Sequence, residues 1–291
     1  MKYHRGFIGR MFDIFNYTFL TCAALGTTLP LIYVIAGSFT SDAELAVRKI
    51  VLIPREPTLD SYRYILSSGV IFSSFFNSVL ITVVGTLINL MMTALLAYPL
   101  SRKNLHGRKI CNLLIVFTMM FSGGMIPGYL LVRSLHLLNS YWSLWLPGAI
   151  SAFNLILLRN FFMDIPVEII ESSKIDGCNE LETFLKIVLP LSKPSLSAIT
   201  LFYLVGHWNA YFSALMYLDD MNRWPLQVWL RQIVILSQVG FDPNAVAGGF
   251  ITPPETSKLA VVCVAVVPIL CVYPFMQKNF AKGVMMGSMK G

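Results

Sequence analysis

The stretch Ser73-Ser-Phe-Phe-Asn77-Ser-Val-Leu-Ile-Thr-Val-Val-Gly85-Thr-Leu-Ile-Asn89-Leu-Met-Met-Thr-Ala-Leu-Leu-Ala97-Tyr98-Pro99-Leu100 contains no Asp, Glu, Lys or Arg. A bilayer core of about 30 Å takes about 20 consecutive apolar residues in a helix, so this segment can cross one. It belongs to an uncharged run over 65–101, longer than a perpendicular helix needs, which predicts a tilt or an interfacial start. Five more uncharged runs flank it, at 14–39, 110–132, 138–158, 196–218 and 259–276. The pattern predicts an all-α integral membrane protein with six transmembrane helices in a single domain over 1–291. Gly123-Gly124 and Pro127 interrupt the third run, and a break there has to be buried against protein or line a cavity.

Composition excludes the soluble alternative. Of 291 residues, 56% are hydrophobic and 13% charged, with a mean hydropathy of +0.66, whereas a soluble domain carries about a quarter charged residues. Five cysteines, an odd number with no CxxC, support neither a disulfide framework nor a zinc site. Residues 1–13 are basic and lead into an uncharged stretch over 14–40, longer than a signal peptide's apolar region of roughly 7–15 residues, so an anchor that stays is expected.

The net charge of +7 is explained by orientation. With the N-terminus inside, 14 Lys and Arg fall on the inner side and 8 on the outer. The positive-inside rule then places both termini in the cytoplasm. Acidic residues number 7 inside and 8 outside, so the whole excess lies on the inner face and gives no pointer to nucleic acid. On the outer side, the loop over 219–258 contains Pro225 followed by apolar residues at 226, 229, 230 and 233, the spacing of a short helix lying along the membrane surface.

The inner segment over 164–190 is locally acidic and reads as two short helices joined at Gly177. Asp164 is a candidate N-cap with Pro166 in the opening turn. Gly177 supplies the φ > 0 position at which helices stop. Asn179 and Glu182 have capping-box spacing, and Leu181, Phe184, Leu185 and Val188 form a helical stripe ended by Pro190. Such a knob suits a partner's groove; a pair packed on the protein's own membrane helices would have the same periodicity.

Glu171-Ser172-Ser173-Lys-Ile-Asp176-Gly177, followed by Phe184 and Ile187-Val-Leu-Pro-Leu191, resembles the EAA motif of ABC importer permeases. Serines 172 and 173 stand where the usual form has two alanines, and Cys178 where a small residue such as alanine is usual. Ala97-Tyr98-Pro99-Leu100-Ser101-Arg102-Lys103, ahead of Gly107-Arg108-Lys109, is similar to the turn between spans two and three of maltose-type, MalG-like carbohydrate permeases. Trp208-Asn209 is similar to the Trp-Asn of the same group. Tyr273-Pro274-Phe275, with the ending Lys282-Gly283-Val-Met-Met-Gly287-Ser-Met-Lys290-Gly291, resembles the LplC/YtcP-like branch, associated with complex oligosaccharides or polysaccharide fragments. The resemblance covers almost the whole chain.

The resemblance implies a type I ABC importer permease fold in the bacterial cytoplasmic (inner) membrane, with a cytoplasmic coupling helix. It implies a second homologous permease, two cytoplasmic ABC ATPase subunits, an extracytoplasmic solute-binding protein, a carbohydrate substrate and surrounding membrane lipid. ATP and Mg would be bound by the ATPases, and this chain would bind no cofactor. Among Glu168, Glu171, Ser172, Ser173, Asp176, Gly177, Leu181 and Phe184, the resemblance assigns Glu171 and Asp176 to orienting the coupling helix and Gly177 to its turn. Leu181 and Phe184 pack on the ATPase or on the permease's own helix ends.

The residues agree with an external energy source. The spans hold no carboxylates of the kind that ion-coupled transporters keep, and the histidines in or immediately beside them are His136 and His207; the first suits an interface, the second a hydrogen-bonded packing role. No phosphate-cradling Gly-rich loop, metal-ligand spacing or partnered nucleophile occurs, so no catalytic residue is expected. An ion-coupled secondary transporter or channel is the competing class. A carbohydrate path needs aromatic faces and neutral hydrogen-bonding groups between helices. Trp208, Asn209, Tyr211, Tyr203, Asn89, Asn77 and Gly123 are the candidates, and for each of them helix-to-helix packing is the competing role. The spans supply no cation for a sugar carboxylate, but Arg133, Arg159 and the outer-loop basic residues could act at the entrances, so acidic fragments such as those of alginate or pectin stay open.

Overall fold

The computed structural model describes residues 7–48, 50–67, 69–238 and 255–288, and no β-strand occurs among them. The basic segment over 1–6, most of the second half of the outer loop (239–254) and the ending 289–291 lie outside the described residues. In chain order the helices are α1 (Phe7–Ser38), α2 (Asp42–Val47), α3 (Asp60–Ser67), α4 (Gly69–Ser101), α5 (Arg108–Met120), α6 (Met125–Ser134), α7 (Trp142–Trp145) and α8 (Ala152–Met163). They continue with α9 (Val167–Ile175), α10 (Glu180–Thr183), α11 (Leu189–Leu191), α12 (Lys193–Trp208), α13 (Phe212–Tyr217), α14 (Leu226–Gln238) and α15 (Glu255–Ser288). A π-helical turn, Phe184–Val188, joins α10 to α11.

Three segments are long and apolar enough to cross a membrane as single helices: Gly9–Ser38, Gly69–Ser101 and Glu255–Pro274. They correspond to the first, second and sixth apolar runs. The third run is broken where Gly123-Gly124 predicts it: α5 and α6 meet at 114° around a non-helical 121–124, with Gly124 at φ +89°. The fourth run differs from expectation. Pro147 and Gly148 split it into the single turn α7 and the 12-residue α8, because proline lacks the N–H that a helix interior needs and glycine weakens helix on either side. The fifth run also stops short, since α12 ends at Trp208 and the chain restarts at Phe212.

The chain divides into two compact units. In the first, Met1–Gly69 with Gln232–Val266, the start of α15 is held by distant groups. Asp42 Oδ1 accepts from the Thr256 hydroxyl at 2.7 Å and the Ser61 hydroxyl donates to Thr256 Oγ1 at 2.9 Å. A carboxylate at a helix N-terminus is favoured by the helix dipole.

The second unit, Val70–Arg231 with Val267–Gly291, is organised by α4. Its buried residues include Ser74, Ser78, Ile81, Gly85, Asn89, Thr93, Ala97 and Leu100, three or four apart. Its outward residues are the bulky Phe72, Phe76, Leu80, Val83, Leu87 and Met91. This arrangement, small and hydroxyl groups inward and large apolar groups outward, is expected where lipid takes the place of water as the outer solvent. One buried cluster joins Ala94, Ala97 and Leu100 of α4 to Leu155, Leu158 and Phe162 of α8 and to Phe184, Val188, Ile199 and Tyr203. A second joins Ile81 to Trp145, Tyr217, Trp224 and Val228. The helix expected after Pro225 is present as α14, and the Ser78 hydroxyl accepts the Leu226 N–H at 2.7 Å, satisfying a donor in its first turn.

Candidate functional site

The elbow between α8 and α12 is assembled largely by local rules. Gly177 adopts φ +86°. Its N–H donates to Lys174 O at 3.1 Å and the Cys178 N–H to Ser173 O at 3.0 Å. This pair of bonds is the Schellman closure of a helix. Asn179 Oδ1 accepts the Glu182 N–H at 2.9 Å while Glu182 Oε2 accepts the Asn179 N–H at 3.1 Å, a complete capping box. The Ser173 and Thr183 hydroxyls, both buried, meet at 3.0 Å and tie α9 to α10.

Two local expectations are corrected. Asp164 closes the C-terminus of α8, its N–H bonding to Asn160 O at 3.1 Å, and α9 begins only after Pro166; a residue just before proline is pushed out of the helical region, so a cap at 164 comes too early. The helix runs one residue past Pro190, to Leu191, because a π-turn over Phe184–Val188 precedes the proline.

The stripe divides by burial. Phe184 and Val188 lie in the core, Phe184 with its ring 4.9 Å from that of Tyr98 and 6.4 Å from that of Phe162. Leu181 and Leu185 stay 60% and 51% exposed. On α9, Glu168, Glu171, Ser172 and Ile175 fall three or four apart on one exposed face, Ile175 with 85% of its surface open. Asp176 and Gly177 are exposed at the tip, and a Cβ added at Gly177 would meet nothing within 4 Å.

A polar brace connects this elbow to the end of α4. Glu180 accepts from Lys174 Nζ at 2.6 Å and from the Tyr98 hydroxyl at 2.8 Å. Those two hydrogen bonds, Lys174 foremost, hold its carboxyl below the usual range. The Lys186 ammonium does the same for Glu182. Arg102 Cζ sits 4.4 Å from the Tyr98 ring centroid. At the tip of α4 the Leu100 carbonyl accepts from Arg108 Nε at 3.0 Å and Arg159 Nε at 3.2 Å. Two cations thus meet the negative end of the helix dipole. Burial, and then the Arg108 charge, push Arg159 below the usual guanidinium value. A pocket of about 410 Å³ opens between Leu95, Pro99, Leu105, Leu181 and Phe184. The sequence does not mark Glu180, Tyr98, Arg102 or Arg108 as site residues, and Arg159, a candidate for a sugar carboxylate at an entrance, donates here to the Leu100 carbonyl. Tyr98 and Glu180 are 82 residues apart and share no periodicity that could join them.

The sequence-derived path candidates occupy different settings. Tyr203 is buried, its hydroxyl 2.7 Å from Thr93 Oγ1 and accepting the Ser151 N–H at 3.0 Å. Buried Asn89 donates to Gly148 O at 2.5 Å and meets His207 Nε2 at 2.9 Å. A Cβ added at Gly85 would lie 2.6 Å from His207 Nε2, so glycine is what lets the imidazole reach Asn89. Trp208 is buried with its ring 6.1 Å from that of Phe75, and Asn77 donates to the Asn222 and Trp224 carbonyls at 2.7 and 3.2 Å. Asn209 and Gly123 are exposed and Tyr211 is half-buried. Asn209 closes α12 and spends its Nδ2 on Val205 O at 2.9 Å, which leaves Oδ1 as an acceptor. Trp208, Asn209 and Tyr211 are thereby gathered at the α12–α13 break, while Tyr203, Asn89, Asn77 and Gly123 lie elsewhere. Among the described residues no group of His, Cys, Asp and Glu is arranged to hold a metal.

Long apolar helices and two bent helix pairs, one of which begins in the elbow at Glu180–Leu191, are those of a multi-pass helical membrane protein. The chain belongs to the family described as "binding-protein-dependent transport system inner membrane component", whose model matches residues 69–286. It is 52% identical, over 97% of its length and 99% of the relative's, to the polygalacturonan/rhamnogalacturonan transport system permease protein YtcP of Bacillus subtilis (strain 168). It is 48% identical to Protein LplC of the same organism, over 99% of this chain and 98% of that one. Among solved structures, a chain of a bacterial ABC transporter involved in the import of the acidic polysaccharide alginate superposes with a TM-score of 0.87 at 33% identity, covering 95% of this chain and 99% of its own.

Proposed function

We propose that this chain is one of two permease subunits of an ATP-driven importer for acidic oligosaccharides, with galacturonate-containing fragments as the favoured substrate class. The observation that carries this reading is the 52% identity, across nearly the full length of both chains, to a polygalacturonan/rhamnogalacturonan permease. The 33% identity to a chain of an ABC transporter involved in the import of the acidic polysaccharide alginate supports it. In this reading the chain crosses the inner membrane six times with both termini in the cytoplasm. The exposed face of Glu168, Glu171, Ser172 and Ile175, with Asp176 and Leu181 beside it, docks on a partner ATPase that binds ATP and Mg. Gly177 makes the turn, while Ser173 and Phe184 hold the elbow from within. A solute-binding protein delivers substrate to the outer face and a second permease completes the cavity. Asn209, Tyr211 and Gly123 contribute to its wall, and Trp208, Tyr203, Asn89 and Asn77 stiffen the helices behind it.

Uptake of labelled tri-galacturonate into proteoliposomes containing this permease, its partner permease, the ATPases and the binding protein tests the reading. Uptake is expected only with ATP inside the ATPase compartment. Uptake by the isolated chain without ATP would overturn it in favour of an ion-coupled transporter or channel, and no uptake of the acidic trimer under any condition would overturn the substrate class.

A further inference from the structure

Arg231 is the one outer-loop arginine in the second unit whose guanidinium is held without spending its donors. Arg223 in the same loop pairs with Asp220 at 3.6 Å and donates to the Asn139 carbonyl. Arg231 projects from α14, is exposed, and forms no ion pair with a carboxylate among the described residues. Its Cζ stands 4.5 Å from the ring centroid of Tyr211. That contact attracts the cation electrostatically and leaves its five N–H donors available. Tyr211 in turn packs against the buried cluster of Ile81, Trp145 and Tyr217, so the platform is rigid. It also lies two residues from Asn209, whose Oδ1 is an available acceptor.

From this geometry we propose that Arg231, set by the Tyr211 ring, is a carboxylate-binding residue for uronate units at the α12–α13 break. The assignment rests on the acidic-saccharide import proposed above and adds the group that reads the charge. A guanidinium matches a carboxylate bidentately through two parallel N–H···O bonds, and a neutral acceptor beside it suits a sugar hydroxyl. Because acidic and basic residues balance on the outer side, 8 against 8, attraction of an anion there depends on a local cation such as this one.

The test is direct binding of tri-galacturonate and of its methyl ester to the complete importer trapped with vanadate, in phosphatidylcholine nanodiscs with and without phosphatidylglycerol. Wild type is expected to bind the acid about tenfold more tightly than the ester, Arg231→Gln to erase the difference, and Arg231→Lys to recover part of it. Tyr211→Leu, which removes the ring under the guanidinium, is expected to narrow the acid-over-ester preference. Equal binding of acid and ester by wild type, or undiminished acid binding by Arg231→Gln in a complex that hydrolyses ATP normally, overturns the proposal. So does an Arg231→Gln effect that appears only in phosphatidylglycerol discs, which assigns the guanidinium to lipid. Loss of binding to both saccharides in a wild-type complex that still imports the trimer overturns this site and leaves the import reading standing, whereas failed import overturns that reading itself.

Discussion

The elbow over 167–191 and the α12–α13 break are both interruptions of helix, but they are held by opposite means. The elbow turns on one positive-φ glycine, a Schellman closure and a capping box, all made within about ten residues of each other. Its ionised groups pair at the surface, Lys174 with Glu180 and Lys186 with Glu182. The helices α4 and α12, the second of which ends at the break, carry neutral side chains that bond to partners 50 to 150 residues away: Tyr203 to Thr93 and Ser151, Asn89 to His207 and Gly148, Asn77 to Asn222 and Trp224. Where water is present, charged pairs and local caps are available cheaply; within apolar helices, a buried polar group has to find a specific neutral partner or cost stability.

Gly85 is the position where a substitution is expected to have the largest effect. Gly85→Val places carbon where His207 Nε2 now lies, so both overpacking and the loss of the Asn89 bond are expected, together about 3 kcal/mol or more. Thermal unfolding of the purified importer followed by tryptophan fluorescence measures it, and an unchanged midpoint would show that the long-range bonds do not hold this region. Tyr203→Phe removes one hydroxyl from two buried partners and is expected to cost about 1–3 kcal/mol by the same measurement, with ATPase association unaffected.

At the elbow the expected effects are smaller in stability and larger in coupling. Gly177→Val has open space around its new side chain and meets only backbone strain of about 1–2 kcal/mol, so the protein should insert and assemble. Saccharide-stimulated ATP hydrolysis is expected to fall relative to Gly177→Asn, which tolerates positive φ; equal coupling in the two variants would sever the turn from its proposed role. The smallest effect belongs to Glu180→Gln. Lys174 and Glu180 are both more than half exposed, which places their pair below about 1 kcal/mol. The folded-state carboxyl value lies below the ordinary 4.5. The pair's contribution is therefore complete above 4.5 and lost as pH falls through the lowered value. Melting curves of wild type and Glu180→Gln are expected to converge on acidification, and a constant gap between them would contradict the brace.

The same contrast explains which features could be recognised in advance. Gly177, Asn179 and Glu182 announce their conformation through residue type and spacing, and the long uncharged runs announce helices that belong in lipid. Asp164 and Pro190 misled because each competes with a stronger neighbour, Pro166 in one case and the π-turn in the other. The 138–158 run is apolar enough for one helix, and only the position of Pro147-Gly148 within it tells against that. Nothing in residue order marks Glu180 as the partner of Tyr98, or Arg231 as the cation over Tyr211.

The amino-acid sequence by itself determined the solvent, the helical class and the local chemistry of the elbow. These depend on composition and on interactions within a turn or two of helix. The tertiary structure decided which polar groups in the apolar helices serve as internal braces and which remain available, and where each long helix breaks. It also decided which arginines are spent on carbonyls and carboxylates. Those outcomes depend on partners brought together from distant positions, and a buried hydrogen bond leaves no periodic trace in the chain that forms it.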